Sequence, residues 1–286
     1  EANGKRHKTS IDWIMQMITV VRRWLPARSL VLVTDGGLVA IKLGLRCVGL
    51  ANPVTYVSRL RLDAQLYDPP GPQAKGKPGP KPKKGKRQPS LKQRLTDPKT
   101  PWRQESIRWY GGKRRIIELA TGIAWWHTSG YEPLAIRWVL VRDPLGEFEP
   151  TAFFATDQDA LPLQILAWFI MRWGLEVTFQ EAHPHLGLET QRQWSDLAIL
   201  RTTPALLGLF SIITLLAHRL TQDQPFPVRS AAWYQKKEPT FSDAIALVRR
   251  YLLMNTQFPN SPIRGGPVEI PAPVLAGLID TLCYPT

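Results

Sequence analysis

Residues 29–37 read SLVLVTDGG, a short run of Leu and β-branched residues cut off by an acidic residue and two glycines. A run this short and this apolar suits a strand buried on both faces better than a helix. Upstream, residues 10–25 (SIDWIMQMITVVRRWL) space their apolar side chains at helical intervals behind a Thr/Ser start, and Pro26 closes the run. Downstream, LVAIKLGLRCVG predicts a second helix and PVTYVSRL (53–60) a second strand. Helix, strand, helix, strand in quick succession reads as α/β.

The character then changes. Residues 68–98 are rich in Pro, Gly and Lys, with no acidic residue between Asp68 and Asp97. Such a segment cannot bury a core, so an extended, mobile, basic loop is expected over 69–96. It is either a solubilising linker or a contact for a nucleic-acid backbone, through Lys81, Lys83, Lys84, Lys86 and Arg87. A β-rich region follows. ESIRWYGGKRRIIELATGIAWW predicts a hairpin turning at Gly111-Gly112, and LAIRWVLVRDPLGEFEPTAFFAT another turning at Asp143-Pro144-Leu145-Gly146. One long helix is expected from about Asp159 to His183, then further helices with Pro-rich breaks near 223–227 and 259–267. The resulting division is an α/β part over 1–60, a β-rich insertion over 61–155, helices over 156–222 and a helical tail over 223–286. There is no internal repeat.

Composition bounds the function. The 286 residues are 44% apolar, ordinary for a globular chain, but the formal net charge is +14. That excess favours polyanionic partners, nucleic acid or an anionic membrane. The membrane reading is the weaker one, because the run PALLGLFSIITLLAH (204–218) is shorter than the ~20 residues of a membrane span. Thr203 and Pro204 before it look like the N-cap and first position of a soluble helix. No signal peptide is visible. The two cysteines, Cys47 and Cys283, lack metal-ligand spacing and fit a reducing, cytoplasmic setting.

Asp35 ends the first strand beside a tight turn, where a carboxylate can reach a cleft; Asp-Gly is equally a common turn pair. On the long helix, with Phe169 as zero, Arg172 falls at about −60°, Glu176 at about −20° and His183 at about −40°. The four share an arc of roughly 60°. The plain alternative for Arg172 and Glu176 is an i,i+4 ion pair worth ~0.2–0.5 kcal/mol. The apolar neighbours Trp168, Trp173, Leu175, Val177 and Phe179 argue against a fully solvated face.

The spacing Phe169-x2-Arg172-x3-Glu176-x6-His183 resembles the Tyr-x2-Arg-x3-Glu-x6-Lys signature of bacterial insertion-sequence transposases with a DDE active site. The resemblance covers about residues 1 to 220. HKTSIDWIMQMITVVRRWLPARSLVLVTDGG is similar to the stretch leading to that family's second catalytic Asp, and ETQRQWSDLAILRTTPALLGLFSIITLLAHRL to the helices after the catalytic Glu. It implies a partial RNase-H-like fold with a β-rich insertion between second Asp and Glu. It further implies Mg²⁺ (or Mn²⁺) in a two-metal site, with Asp35 and Glu176 as ligands and catalytic carboxylates. By position, Arg172 would bind DNA phosphate, Phe169 would stand for the signature Tyr, and His183 for its Lys. Pro184 should pull His183 away from helical geometry. The partners implied are double-stranded DNA, at transposon ends and target, and a homodimer in the synaptic complex. The bacterial cytoplasm, at the nucleoid, is the location implied.

The family's first catalytic Asp lies on a strand before the helix at 10–25. Nine residues precede that helix and none supplies it; Asp12 is on the helix itself. The chain also opens EANGKRHKTS, without Met. A C-terminal portion of a transposase is therefore expected, one that binds DNA without cutting or joining it alone. The alternative is a non-catalytic DNA-binding remnant or a truncated regulator of transposition. A basic RNA-associated protein is a third reading, without an RNP or KH-type signature to support it. Trp109, Trp125, Trp126 and Trp138 in the insertion either pack the sheet or stack on an extruded base.

Overall fold

The computed structural model describes residues 7–71, 82–109, 112–190, 192, 195–229, 235–236, 238–255 and 270–284. The chain divides into two compact units, 1–173 and 174–286.

In the first unit, α1 (Ser10–Trp24) starts on a reciprocal capping box between Thr9 and Asp12, which satisfies donors that a helix start leaves open. Next come β1 (Val31–Val33), a single 3₁₀ turn at Gly36–Leu38, α2 (Ile41–Val48) and β2 (Thr55–Leu60). This is the α/β order read from the sequence. β1 and β2 pair in parallel, Val31 with Thr55 and Val33 with Val57. The insertion supplies β3 (Leu66–Tyr67), α3 (Leu91–Thr96), β4 (Arg103–Arg108), β5 (Arg114–Trp126), β6 (Leu134–Arg142) and β7 (Thr151–Ala155). Both expected hairpins are present. In the second, Gly146 N–H donates to Asp143 O at 3.1 Å, with Gly146 at φ +71°, a geometry that favours glycine. Gly111 of the first lies outside the described residues.

The insertion is no separate layer. β7 pairs antiparallel with β2, so one mixed sheet runs β1-β2-β7-β6-β5-β3, with β4 also on β5. Its register forces a curl. Leu60 aligns through Ala152 and Leu140 with Ala120, whereas Leu66 pairs Trp126, six residues further along β5. On a flat sheet Leu60 and Leu66 would stand ~28 Å apart, from four strand spacings and six residue rises. The intervening chain reaches ~22 Å at most.

Alternation along the strands fills two cores. Leu30, Leu32, Tyr56, Leu60 and Phe154 face one side, covered by Ile18, Leu43 and Cys47 of α1 and α2. Val31, Val33, Val57 and Phe153 face the other, covered by Ile165, Leu166 and Phe169 of α4 (Pro162–Met171). Each such side chain fully buried contributes roughly 1.5–3 kcal/mol. At Gly44, a Cβ would sit 2.3 Å from Leu134 Cδ2, so α2 approaches β6 closely there.

The structure corrects several sequence expectations. The basic segment is not extended throughout: Ser90 and Gln93 form a capping box on α3, and Leu91 is fully buried. Residues 72–81 lie outside the described residues. The long helix is two, α4 and α5 (Trp173–Leu186), parted at Arg172, so the four-residue arc cannot rest on one uninterrupted helical wheel. Pro184 lies inside α5, and Gly187 N–H donates to His183 O at 3.1 Å. His183 is thus helical despite the proline after it.

In the second unit, α6 (Asp196–Leu220) begins on an N-cap at Ser195 and runs through Pro204. The expected start at Thr203 is wrong: the helix begins eight residues earlier, on the Ser195 cap, and carries Pro204 in its interior. At 25 residues with a window of mean hydropathy 1.8, α6 is long and apolar enough to cross a membrane by length and composition. The apolar run 204–218 is thus the inner part of a longer helix than the sequence suggested. α7 (Phe241–Asn255) and α8 (Ala272–Cys283) complete the unit. Ile213, Ala217, Phe241, Ala244 and Val248 form its core.

Candidate nucleic-acid interface

Asp35 stands at the carboxyl end of β1, where the parallel pair opens outward. The backbone carrying it is fixed by a buried polar chain. Ser58 Oγ donates to Thr34 O at 2.8 Å and lies 3.3 Å from Asp35 O. Thr34 Oγ1 donates to Ser58 Oγ at 3.2 Å and lies 3.0 Å from the Tyr56 hydroxyl. Burial pushes the Tyr56 phenol up, so it serves as a neutral hydroxyl.

The Asp35 side chain is 56% exposed and does not cap the turn that follows it. A turn-forming Asp would spend its carboxylate on nearby backbone N–H groups; this one does not. Arg172 Nη2 lies 4.0 Å from Asp35 Oδ1. Its guanidinium also stands 5.5 Å from the Phe169 ring centre, and that of Arg59 stands 5.6 Å from the same ring. Phe169 is 1% exposed and packs on Phe153 at 4.7 Å. Its aromatic face is taken by protein, so it supports two guanidiniums rather than meeting a ligand itself.

Arg59, which the sequence does not single out, stands beside the same phenylalanine and lines the candidate site. Its signal is the period-2 pattern of β2, which puts it on the same face as Val57 and hence under α4. Its stem lies beside Gly36, where a Cβ would meet Arg59 Cβ and Cδ at 3.6 Å.

From Gly36 a cleft of about 880 Å³ runs past Arg59 and Arg61 to Lys84, Trp126 and His127. Lys84 Nζ lies 3.3 Å from His127 Nδ1 and 4.2 Å from the centre of the Tyr67 ring. Arg61 forks onto Asp63 at 2.8 and 2.7 Å, holding that carboxyl below its usual range. Of the basic segment, Lys84 thus joins the cleft and Lys83 pairs with Glu132. Lys86 and Arg87 are exposed, and Lys81 lies outside the described residues. Among the insertion tryptophans, Trp138 is buried in the sheet, Trp109 stacks on Phe148, and Trp126 both touches Phe154 and lines the cleft.

Glu176 and His183 belong to α5 in the second unit, Glu176 half-buried and His183 exposed. The apolar flank expected around them is largely open: Leu175 is 57% and Phe179 41% exposed. Among the described residues no three of His, Cys, Asp or Glu come together as a metal set. Asp35 offers one hard oxygen donor with a guanidinium beside it, less than a two-metal site needs.

No protein-family model matches the chain, and no curated protein does so either. The fold defines the class as α/β, built on a mixed sheet with helices on both faces.

Proposed function

We propose that this chain is a DDE-type insertion-sequence transposase polypeptide with a partial RNase-H-like fold, and that it binds double-stranded DNA but does not cut or join it alone. The observation that carries the reading is an exposed carboxylate at the end of a parallel strand pair, flanked by Arg172 and Arg59 on one buried phenylalanine. Guanidiniums held by an aromatic ring are pre-organised for phosphate oxygens. The cleft with Lys84 extends the same positive surface, and the formal charge of +14 supplies long-range attraction.

Phosphodiester chemistry of this class uses Mg²⁺ held by three carboxylates. This chain offers two by sequence, Asp35 and Glu176. The RNase-H-like reading also accounts for β1. It contributes side chains to both cores, as a central strand does, yet among the described residues it pairs on one edge alone. The second reading is a non-catalytic DNA-binding remnant or a truncated regulator of transposition. Location at the bacterial nucleoid and pairing of two copies on two DNA ends belong to the proposal.

The test is incubation of the purified chain with duplex DNA and Mg²⁺ or Mn²⁺. Binding without nicking is expected. Nicking that Asp35→Ala abolishes would overturn the inactive reading, and absence of binding would overturn the DNA reading.

A further inference from the structure

The β4–β5 hairpin breaks a rule of sheet pairing. Arg108 stands directly opposite Arg114 in the ladder, and like charges placed so repel. Both are exposed, as is Lys113 beside them. Nearby acids do not relieve the repulsion: Asp143 and Glu147 pair with Arg115, and Glu118 with Arg142. Glu105 alternates onto the opposite face, the one that carries Ile107 and Ile117 inward. Arg108 reaches over Gly112, where a Cβ would meet its Nη2 at 3.2 Å. Three cations are thus gathered at the hairpin's end at a cost to the fold, which calls for a function.

The register says where that end points. Arg59 aligns through Phe153 and Val139 with Thr121 of β5. Arg114 lies seven residues beyond Thr121, in the direction in which β2 runs. Measured along the strands, the tip therefore lies seven residues, roughly 23 Å, beyond the level of Arg59, three strands across the curled sheet from β2.

We propose that Arg108, Lys113 and Arg114 form a second grip on the phosphate backbone of duplex DNA, apart from the Asp35 site. It rests on the DNA-binding reading above and adds a contact that the reading does not contain. The contact is to backbone, so it is indifferent to sequence and sensitive to salt.

The experiment compares the full chain with the Arg108→Ala/Lys113→Ala/Arg114→Ala variant on a labelled duplex of about 30 base pairs across a salt series. The variant should bind more weakly, with the slope of log Kd against log salt less steep by about 2 to 3. Its melting temperature should not fall, since a repulsive pair is removed. Arg114→Glu, which turns the repelling pair into an attracting one, should raise or hold the melting temperature while weakening DNA binding. A structural role alone would not produce that opposition. An unchanged slope and affinity in the triple variant would overturn the proposal and leave the Asp35 reading standing. Failure of the unaltered chain to bind duplex at all would overturn both.

Discussion

Ser58 carries no charge, yet its hydroxyl holds the strand end on which Asp35 stands. Replacing it with Ala removes the donor to Thr34 O and one of the two partners of the Thr34 hydroxyl in a buried place. We expect Ser58→Ala to lower stability by about 1–2 kcal/mol in denaturant melts. Asp243 makes a second residue-scale test. It is 1% exposed and meets Lys236 Nζ at 2.5 Å and Thr240 N–H at 2.8 Å. Burial pushes its carboxyl up, but those hydrogen bonds outweigh burial and the net shift is downward. A lowered folded pKa favours the ionised form, so its stabilisation is full above the ordinary value of 3.8 and is lost as pH falls through the folded value. Asp243→Asn should cost about 2–3 kcal/mol near neutrality, and the gap from the unaltered chain should narrow in acid melts below that value.

At the scale of elements, Gly122 faces Trp138 across β5 and β6, and a Cβ there would come within 2.7 Å of the indole ring. Trp138 is 3% exposed and Arg94 covers its ring at 4.9 Å, so it has nowhere to turn. Gly122→Ala should destabilise by about 1–3 kcal/mol, measured as a lowered denaturant midpoint with an unchanged slope. Elements with strong local signals were legible in the sequence. β1 and β2 show as apolar runs, and the β6–β7 turn shows in Asp143 to Gly146. Elements set by distant partners were not. In FIMRWGLEV only Gly174 weakens a helix, and it stands two residues past the observed break at Arg172. The role of Arg59 depends on a phenylalanine more than a hundred residues away. Pro204 is by itself a helix-start signal, yet α6 begins earlier, at the Ser195 cap. The curl of the sheet follows from register, which no single segment carries.

For the whole molecule, the two carboxylates named from the sequence belong to different units, Asp35 to the first and Glu176 to the second. Under the proposed function, Arg59 and Arg172 beside Asp35 would bind DNA phosphate. The deciding measurement is fluorescence anisotropy of a labelled duplex with the full chain and with Arg59→Ala/Arg172→Ala, across salt, alongside thermal melts. The account predicts steeply salt-dependent binding by the unaltered chain, and a weaker, shallower dependence in the double variant while it remains folded. Equal affinity and equal salt slope in a folded double variant would contradict it.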